Sequence, residues 1–217
     1  MSGEFSSRGV RQGVLKHHRY LEIFAMVAAP CLVIWALARA SSGLDFAGVF
    51  AAIVGYVAAD FLCGALHWYA DERADASWRW IGPAFIRPFR DHHLRPEALT
   101  EHDVFELCGN NAVVCVTMLG ATLPWAPFAP HLAIGVVALA IAVLATNVFH
   151  KWAHTAAPPP LVRALQKMRA VLSPEEHSQH HALLDRAYCV TSGWTNPILD
   201  AAIRRVRSRD RRGRWRT

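Results

Sequence analysis

No CxxC pair, no nucleotide, flavin or iron–sulfur motif and no Glu-x-x-His string occurs in these 217 residues. The five cysteines, Cys31, Cys63, Cys108, Cys115 and Cys189, are odd in number and scattered, which argues against a disulfide framework or a cysteine metal knuckle. Charge is scarce: 18% of residues are Asp, Glu, Lys or Arg, against roughly 25% in soluble domains. Alternating apolar and polar runs are missing too, which argues against membrane strands. Apolar residues are in excess instead, at 53% of the chain, and the mean hydropathy is +0.17. That balance excludes a disordered chain and a fibrous repeat and disfavours an ordinary soluble enzyme. The net charge of +6 and the twelve histidines are unusual in so apolar a chain.

The apolar residues form four continuous runs, and each approaches the ~20 residues that cross a bilayer as a helix. The expected fold is an all-α integral membrane protein with spans over about 21–40, 46–67, 107–126 and 131–150. Asp60 alone interrupts the second run. A basic arm over 1–20 precedes this membrane domain of 21–200, and an Arg-rich tail over 201–217 follows it. Of the lysines and arginines, four precede the first span, five lie between His67 and Glu106, and thirteen follow His150; only Arg39 falls on the other side. The positive-inside rule makes the crowded side, with both termini, cytoplasmic. A secretory signal over 21–38 is the rival reading, but its cleavage would leave three spans and put basic segments outside.

Nine histidines fall on that same side. His67 and His150 end the second and fourth spans. His92, His93 and His102 lie in the central loop, and His154, His177, His180 and His181 follow the last span. His131 sits at the opposite end, and His17 and His18 belong to the basic arm, where they meet lipid headgroups. His150 and His154 are i,i+4 and share a helical face; His177, His180 and His181 do the same, and so do His67 and Asp71. Adjacent His92 and His93 point apart on a helix, as if to serve different metals or two layers of one site. Neutral imidazole binds Fe, Zn and Cu. A single zinc takes three or four protein ligands, so nine histidines suit two metals. Asp71, Asp91, Asp103, Glu106, Glu175, Glu176 and Asp185 are candidate acceptors for the outer ring N–H groups. Haem remains a rival, whereas the carboxylate-rich di-iron bundles need the missing Glu-x-x-His. Asp60 lies two turns, about 10 Å, before His67 on one face. Acids within a membrane are costly and functional by default, so Asp60 is a candidate ligand partner or substrate-channel residue; a helix–helix hydrogen bond is the alternative.

Five strings carry a family likeness: Asp60-Phe61-Leu62-Cys63-Gly64-Ala65-Leu66-His67-Trp68, RDHHLRPEALTEHDVFELCGNN (90–111), FHKWAH (149–154), EEHSQHH (175–181) and YCVTSGWTNPILD (188–200). In this order they resemble the Kua/CarF-type lipid desaturases, a branch of the membrane fatty-acid desaturase and hydroxylase superfamily. The likeness covers about residues 50–200. HxxxH at 150–154 and HxxHH at 177–181 match the wider superfamily, whereas the isolated His67 and the His92-His93…His102 arrangement mark this branch. The resemblance implies an oxidoreductase with two Fe ions held by His67, His92, His93, His102, His150, His154, His177, His180 and His181. Asp60 and Asp71 are the expected catalytic carboxylates beside them. It further implies O2 as co-substrate, a ferredoxin- or cytochrome b5-type electron donor, and an ether phosphatidylethanolamine substrate. The 1-O-alkyl chain of that lipid would become a vinyl ether.

The eight arginines between Arg204 and Arg216 suit anionic headgroups. No nucleic-acid partner is expected, since no nucleic-acid fold accompanies them. Gly193-Trp194-Thr195-Asn196-Pro197 is expected to shape the lipid pocket. An acyl-lipid desaturase, an intramembrane zinc lipid hydrolase and a non-enzymatic metal-binding protein stay open at this point. The composition suits a bacterial inner membrane.

Overall fold

Local signals set where the long helices begin. Asp45 accepts a hydrogen bond from the Gly48 N–H at 2.9 Å, which starts α2 at Phe46. Asp103 and Glu106 form a reciprocal capping box that starts α5 at Val104. Pro130 opens α6 at a position where a missing N–H costs nothing. The computed structural model describes residues 16–79 and 81–214. Most of the basic arm expected over 1–20 and the last three residues of the basic tail lie outside these, as do the side chains of His17 and His18.

Among the described residues every regular element is a helix. α1 is Lys16–Arg39, α2 Phe46–Glu72, α3 Arg87–Leu94, α4 Ala98–Glu101, α5 Val104–Thr122, α6 Pro130–His154, α7 Pro160–Lys167, α8 Pro174–Leu183 and α9 Asn196–Arg214. α1, α2, α5 and α6 are long and apolar enough to span a membrane, and the protein is an integral membrane protein. α2 and α6 run past the apolar stretches to Glu72 and His154, because a backbone ladder continues beyond the point where lipid ends.

α2 packs on α6, α6 on α5 and α5 on α1. The α2–α6 contact is backbone-close: a Cβ on Gly55 would overlap the Gly135 carbonyl oxygen, the approach that small residues allow in membranes. Asn111 donates to the Val143 carbonyl and Asn147 to the Leu107 carbonyl, both at 2.7 Å, so α5 and α6 are cross-linked inside the span. At one end of the bundle Arg19 meets Asp103 at 3.0 Å, joining the starts of α1 and α5. His131 meets Asp45 at 3.0 Å at the other end. The first end carries everything that matters for the site. The C-termini of α2 and α6 finish there, and α3, α4 and α8 form a cap over them. An irregular strap, residues 184–195, leads from α8 down to α9. α9 then packs on the second half of α2, with Leu199 and Ile203 set among Phe61, Ala65, Trp68 and Tyr188.

Candidate metal centre

A histidine ligand needs a neutral ring, a lone pair aimed at the ion and an acceptor for its other N–H. Two adjoining groups in the cap bring such rings together. The first holds His92 from α3, His150 and His154 from α6, and His177 and His181 from α8. The second holds His67 and Asp71 from α2, His93 from α3 and His180 from α8. Within each group the potential ligand atoms all lie within 4.8 Å of one another. Helical spacing is what unites them: i,i+4 pairs on α2, α6 and α8 face inward, while adjacent histidines point to different neighbours. Each HH pair is therefore split, His92 and His181 into the first group, His93 and His180 into the second.

In the first group Nε2 atoms face one another. His150 and His154 each stand 2.8 Å from His177, and His181 stands 2.9 Å from it. His92 is 3.1 Å from both His154 and His181. His177 Nε2 thus meets three nitrogens, yet it carries one proton or one lone pair. Hydrogen bonds among the rings do not satisfy this convergence; a cation between them does. Five donors exceed the three or four protein ligands that a tetrahedral zinc takes. Five converging imidazoles also leave no plane for a porphyrin.

The second group is built around a carboxylate. Asp71 Oδ2 is 2.9 Å from His93 Nε2, 3.2 Å from His67 Nε2 and 3.6 Å from His180 Nε2. The outer nitrogens of two rings are fixed by backbone: His67 Nδ1 donates to the Tyr188 carbonyl at 3.0 Å and His180 Nδ1 to the Arg186 carbonyl at 2.8 Å. Those bonds set the tautomer and leave the Nε2 lone pairs facing Asp71. His67 Nε2 and Asp71 Oδ1 are buried with no hydrogen-bond partner. Orphaned buried polar atoms of this kind are rare without a purpose. Both groups therefore fit a metal ion.

Burial, reinforced by the charge of neighbouring His154 and His181, pushes His92 down to about 2. Burial first, then His154 and His93, lowers His181 to about 3. His177 is held well below the ordinary histidine value, again by burial first. All three rings are neutral near pH 7, the protonation state that ligation requires.

The remaining expected residues lie elsewhere. His102 is in neither group; it ends α4, and its carbonyl accepts a hydrogen bond from Lys151 Nζ at 2.9 Å. Asp60 is wholly buried, and its carboxylate is taken up by the strap. Oδ1 accepts from the N–H groups of Ser192 at 2.7 Å and Gly193 at 3.0 Å; Oδ2 accepts from the Thr195 N–H at 2.9 Å and hydroxyl at 2.7 Å. Several of the acids expected to hold ring N–H groups are engaged elsewhere. Asp103 caps α5 and pairs with Arg19, Glu176 accepts from Asn196 at 3.0 Å, and Asp185 pairs with Arg186. Asp71 is the member of that set that lies within the two histidine groups. The Arg186 and Tyr188 carbonyls take the role instead, and backbone acceptors leave no mark in a residue string. Tyr188 was also missed as a site residue. Its wholly buried ring lies edge-on to His67 and His180, with centroids 5.6 and 4.7 Å away, and its hydroxyl donates to Glu72.

Comparison with known proteins extends this picture. The family model described as a lipid desaturase domain matches residues 56–205. The plasmanylethanolamine desaturase of Myxococcus xanthus is 38% identical over 200 residues, covering 87% of this chain and 69% of that protein. Plasmanylethanolamine desaturase 1 of Mus musculus is 36% identical over 169 residues, 70% of this chain and 60% of the relative. Fatty acid desaturase 4, chloroplastic, of Arabidopsis thaliana is 33% identical over 185 residues, 80% and 56% respectively. No solved structure is a significant match.

Proposed function

The chain belongs to the lipid desaturase family, and on that premise we propose that it is a membrane oxidoreductase acting on the 1-O-alkyl chain of an ether phosphatidylethanolamine. Two hydrogens leave the two carbons next to the ether oxygen, which gives the vinyl ether of a plasmalogen. With two external electrons and two protons, one O2 is reduced to two waters. The observation that carries this reading is the pair of adjoining imidazole groups at the membrane end of α2 and α6, in a chain 38% identical to a plasmanylethanolamine desaturase.

Two Fe ions are the metals assigned. His92, His150, His154, His177 and His181 hold one; His67, Asp71, His93 and His180 hold the other. Bound iron supplies, with O2, an oxidant strong enough for an unactivated C–H bond. Five imidazole donors in one group exceed the three or four protein ligands of a tetrahedral zinc, which favours iron and with it a desaturase over a zinc hydrolase. The chain itself positions and dries the site. Ala153, Leu172 and Val190 pack around Phe149 beside it, and Ile86 seals the α3 side. An alkyl chain whose reacting carbons sit just below its headgroup reaches the end of α2 without leaving the bilayer. Electrons come from a separate ferredoxin- or cytochrome b5-type donor, because the sequence carries no flavin or iron–sulfur motif. The membrane domain is taken as residues 21–200, with the basic arm, the Arg-rich tail and the histidine cap on the cytoplasmic side of a bacterial inner membrane. The basic residues crowded on that side support this orientation.

Expression in a plasmalogen-free host supplied with alkyl phospholipids tests the reading. Acid-labile vinyl ethers are expected with the wild-type chain and not with His181→Ala. Alkyl lipids left intact by both proteins would overturn it. A new double bond in an ester-linked acyl chain would move the substrate to the acyl lipids.

A further inference from the structure

A buried carboxylate inside a membrane span must be neutralised or satisfied. Asp60 is satisfied by four donors, all from the strap, and two of them, the Ser192 and Gly193 N–H groups, converge on one oxygen. This grip requires a left-handed turn. Gly193 has φ +82, a conformation that side chains resist, and a Cβ there would lie 2.9 Å from Glu176 Cγ. The rest of the strap hangs from that turn. Asn196 Oδ1 accepts from the Cys189 N–H at 2.8 Å, and Cys189 Sγ lies 3.2 Å from the Thr195 hydroxyl. Ala187, one residue before Tyr188, has φ +59, so this stretch is held in a conformation it would not adopt unaided. The two carbonyls that orient His180 and His67, at Arg186 and Tyr188, both belong to this stretch. No outer ring nitrogen of the five-histidine group bonds to the strap among the described hydrogen bonds.

We propose that Asp60 is a positioning residue for one metal site only: by holding the 192–195 turn it fixes the strap carbonyls that aim His67 and His180, so the His67/Asp71/His93/His180 site depends on it and the five-histidine site does not. The inference rests on reading the two groups as metal sites. It is independent of which lipid is used.

Asp60→Asn tests it, because an amide nitrogen in place of one oxygen meets donors where it needs acceptors. Gly193→Ala attacks the same contact from the strap. Thr195→Val is the mildest probe, since it removes one hydroxyl donor and keeps the N–H. The probe ion is Co2+, titrated into metal-free protein in detergent and followed by its visible absorption. Wild type should bind two ions per chain. Asp60→Asn and Gly193→Ala should each bind one, and the double variant should also bind one, as expected for two ends of a single contact. With iron, the same variants should lose the magnetic coupling between two ions and show one isolated ferric signal. Circular dichroism matching wild type reports an intact fold. Two ions bound to folded Asp60→Asn, with the coupled signal unchanged, would overturn the proposal, as would loss of both ions together. If Asp60→Asn does not fold, Thr195→Val decides: weaker binding of one ion of two supports the proposal, and wild-type binding of both overturns it. Two cobalt ions bound to a wild-type chain that makes no vinyl ether would sink the proposed activity and leave this inference standing.

Discussion

His92 and His93 are neighbours in the chain, as are His180 and His181, yet each pair is divided between two donor groups of different construction. The five-histidine group is neutral throughout, and its rings press on one another at 2.8–3.1 Å. The second group has fewer rings, one anion and an outer scaffold of backbone carbonyls. A divalent ion in the first group would keep its full charge; in the second, Asp71 would offset part of it. The comparison teaches that one set of helices can present two chemically distinct sites, with adjacent residues distributing the donors. The two sites should therefore respond differently to damage.

The strongest way to break the comparison is to cut neighbouring residues one at a time. His92→Ala and His93→Ala should each abolish vinyl ether formation, since the proposed two-metal oxidant would fail with either ion missing. Their metal contents should agree at one ion per chain, but their spectra should differ. His92→Ala retains a site with a carboxylate, and His93→Ala retains one made of imidazole alone. X-ray absorption at the metal edge distinguishes the two, and identical spectra would mean that the groups are not separate sites. Asp71→Asn is a gentler cut. Its amide can still offer one oxygen, so the second ion should bind at least about 10-fold more weakly, the lower end of what even outer partners of ligands cost. Isothermal titration of wild type against the variant reads this directly, and affinity equal to wild type would remove Asp71 from the site.

Much of this was legible in the sequence, and the parts that were not share a cause. Continuous apolar runs announce spans, and i,i+4 spacing announces shared faces, because both depend on helix geometry alone. That logic correctly kept His131 apart and allowed for the split of His92 from His93. His102 is different. It follows the four-residue helix α4 and precedes the Asp103 cap of α5, with ψ 138 at the junction. A residue at such a corner takes its direction from tertiary packing, so proximity in sequence to the clustered histidines was uninformative. The same holds for Asp60. Its depth in the span marked it as important, but its partners lie more than 130 residues further along the chain, in the strap. The carbonyls of Arg186 and Tyr188 were invisible for a simpler reason: every residue has one.

Removal of metal should expose the cost of gathering neutral rings. In the folded protein burial holds His92 near 2 and His181 near 3, whereas both titrate near about 6.5 in an unfolded chain. Below that value the unfolded chain binds more protons, so the rings' contribution to stability is complete above about pH 6.5 and is lost as pH falls toward the folded values. The metal-free protein in detergent should accordingly unfold at lower temperature near pH 5.5 than near pH 7.5. Saturation with metal should flatten part of that dependence while the ions stay bound. An apo-protein whose melting temperature rises on acidification would show that the rings are not held neutral.

The smallest effect expected belongs to His102. His102 belongs to neither histidine group, and its backbone carbonyl, which accepts from Lys151 Nζ at 2.9 Å, survives in an alanine. His102→Ala should therefore retain both ions and a measurable rate of vinyl ether formation. His154→Ala should lose one ion; it removes a ring from the same helix as Lys151, and that ring is 2.8 Å from His177. Side-by-side metal analysis of the two variants sharpens the boundary of the site. If His102→Ala also binds one ion, a ligand reaches the centre from the α4–α5 corner, and the five-histidine group must be redrawn with six.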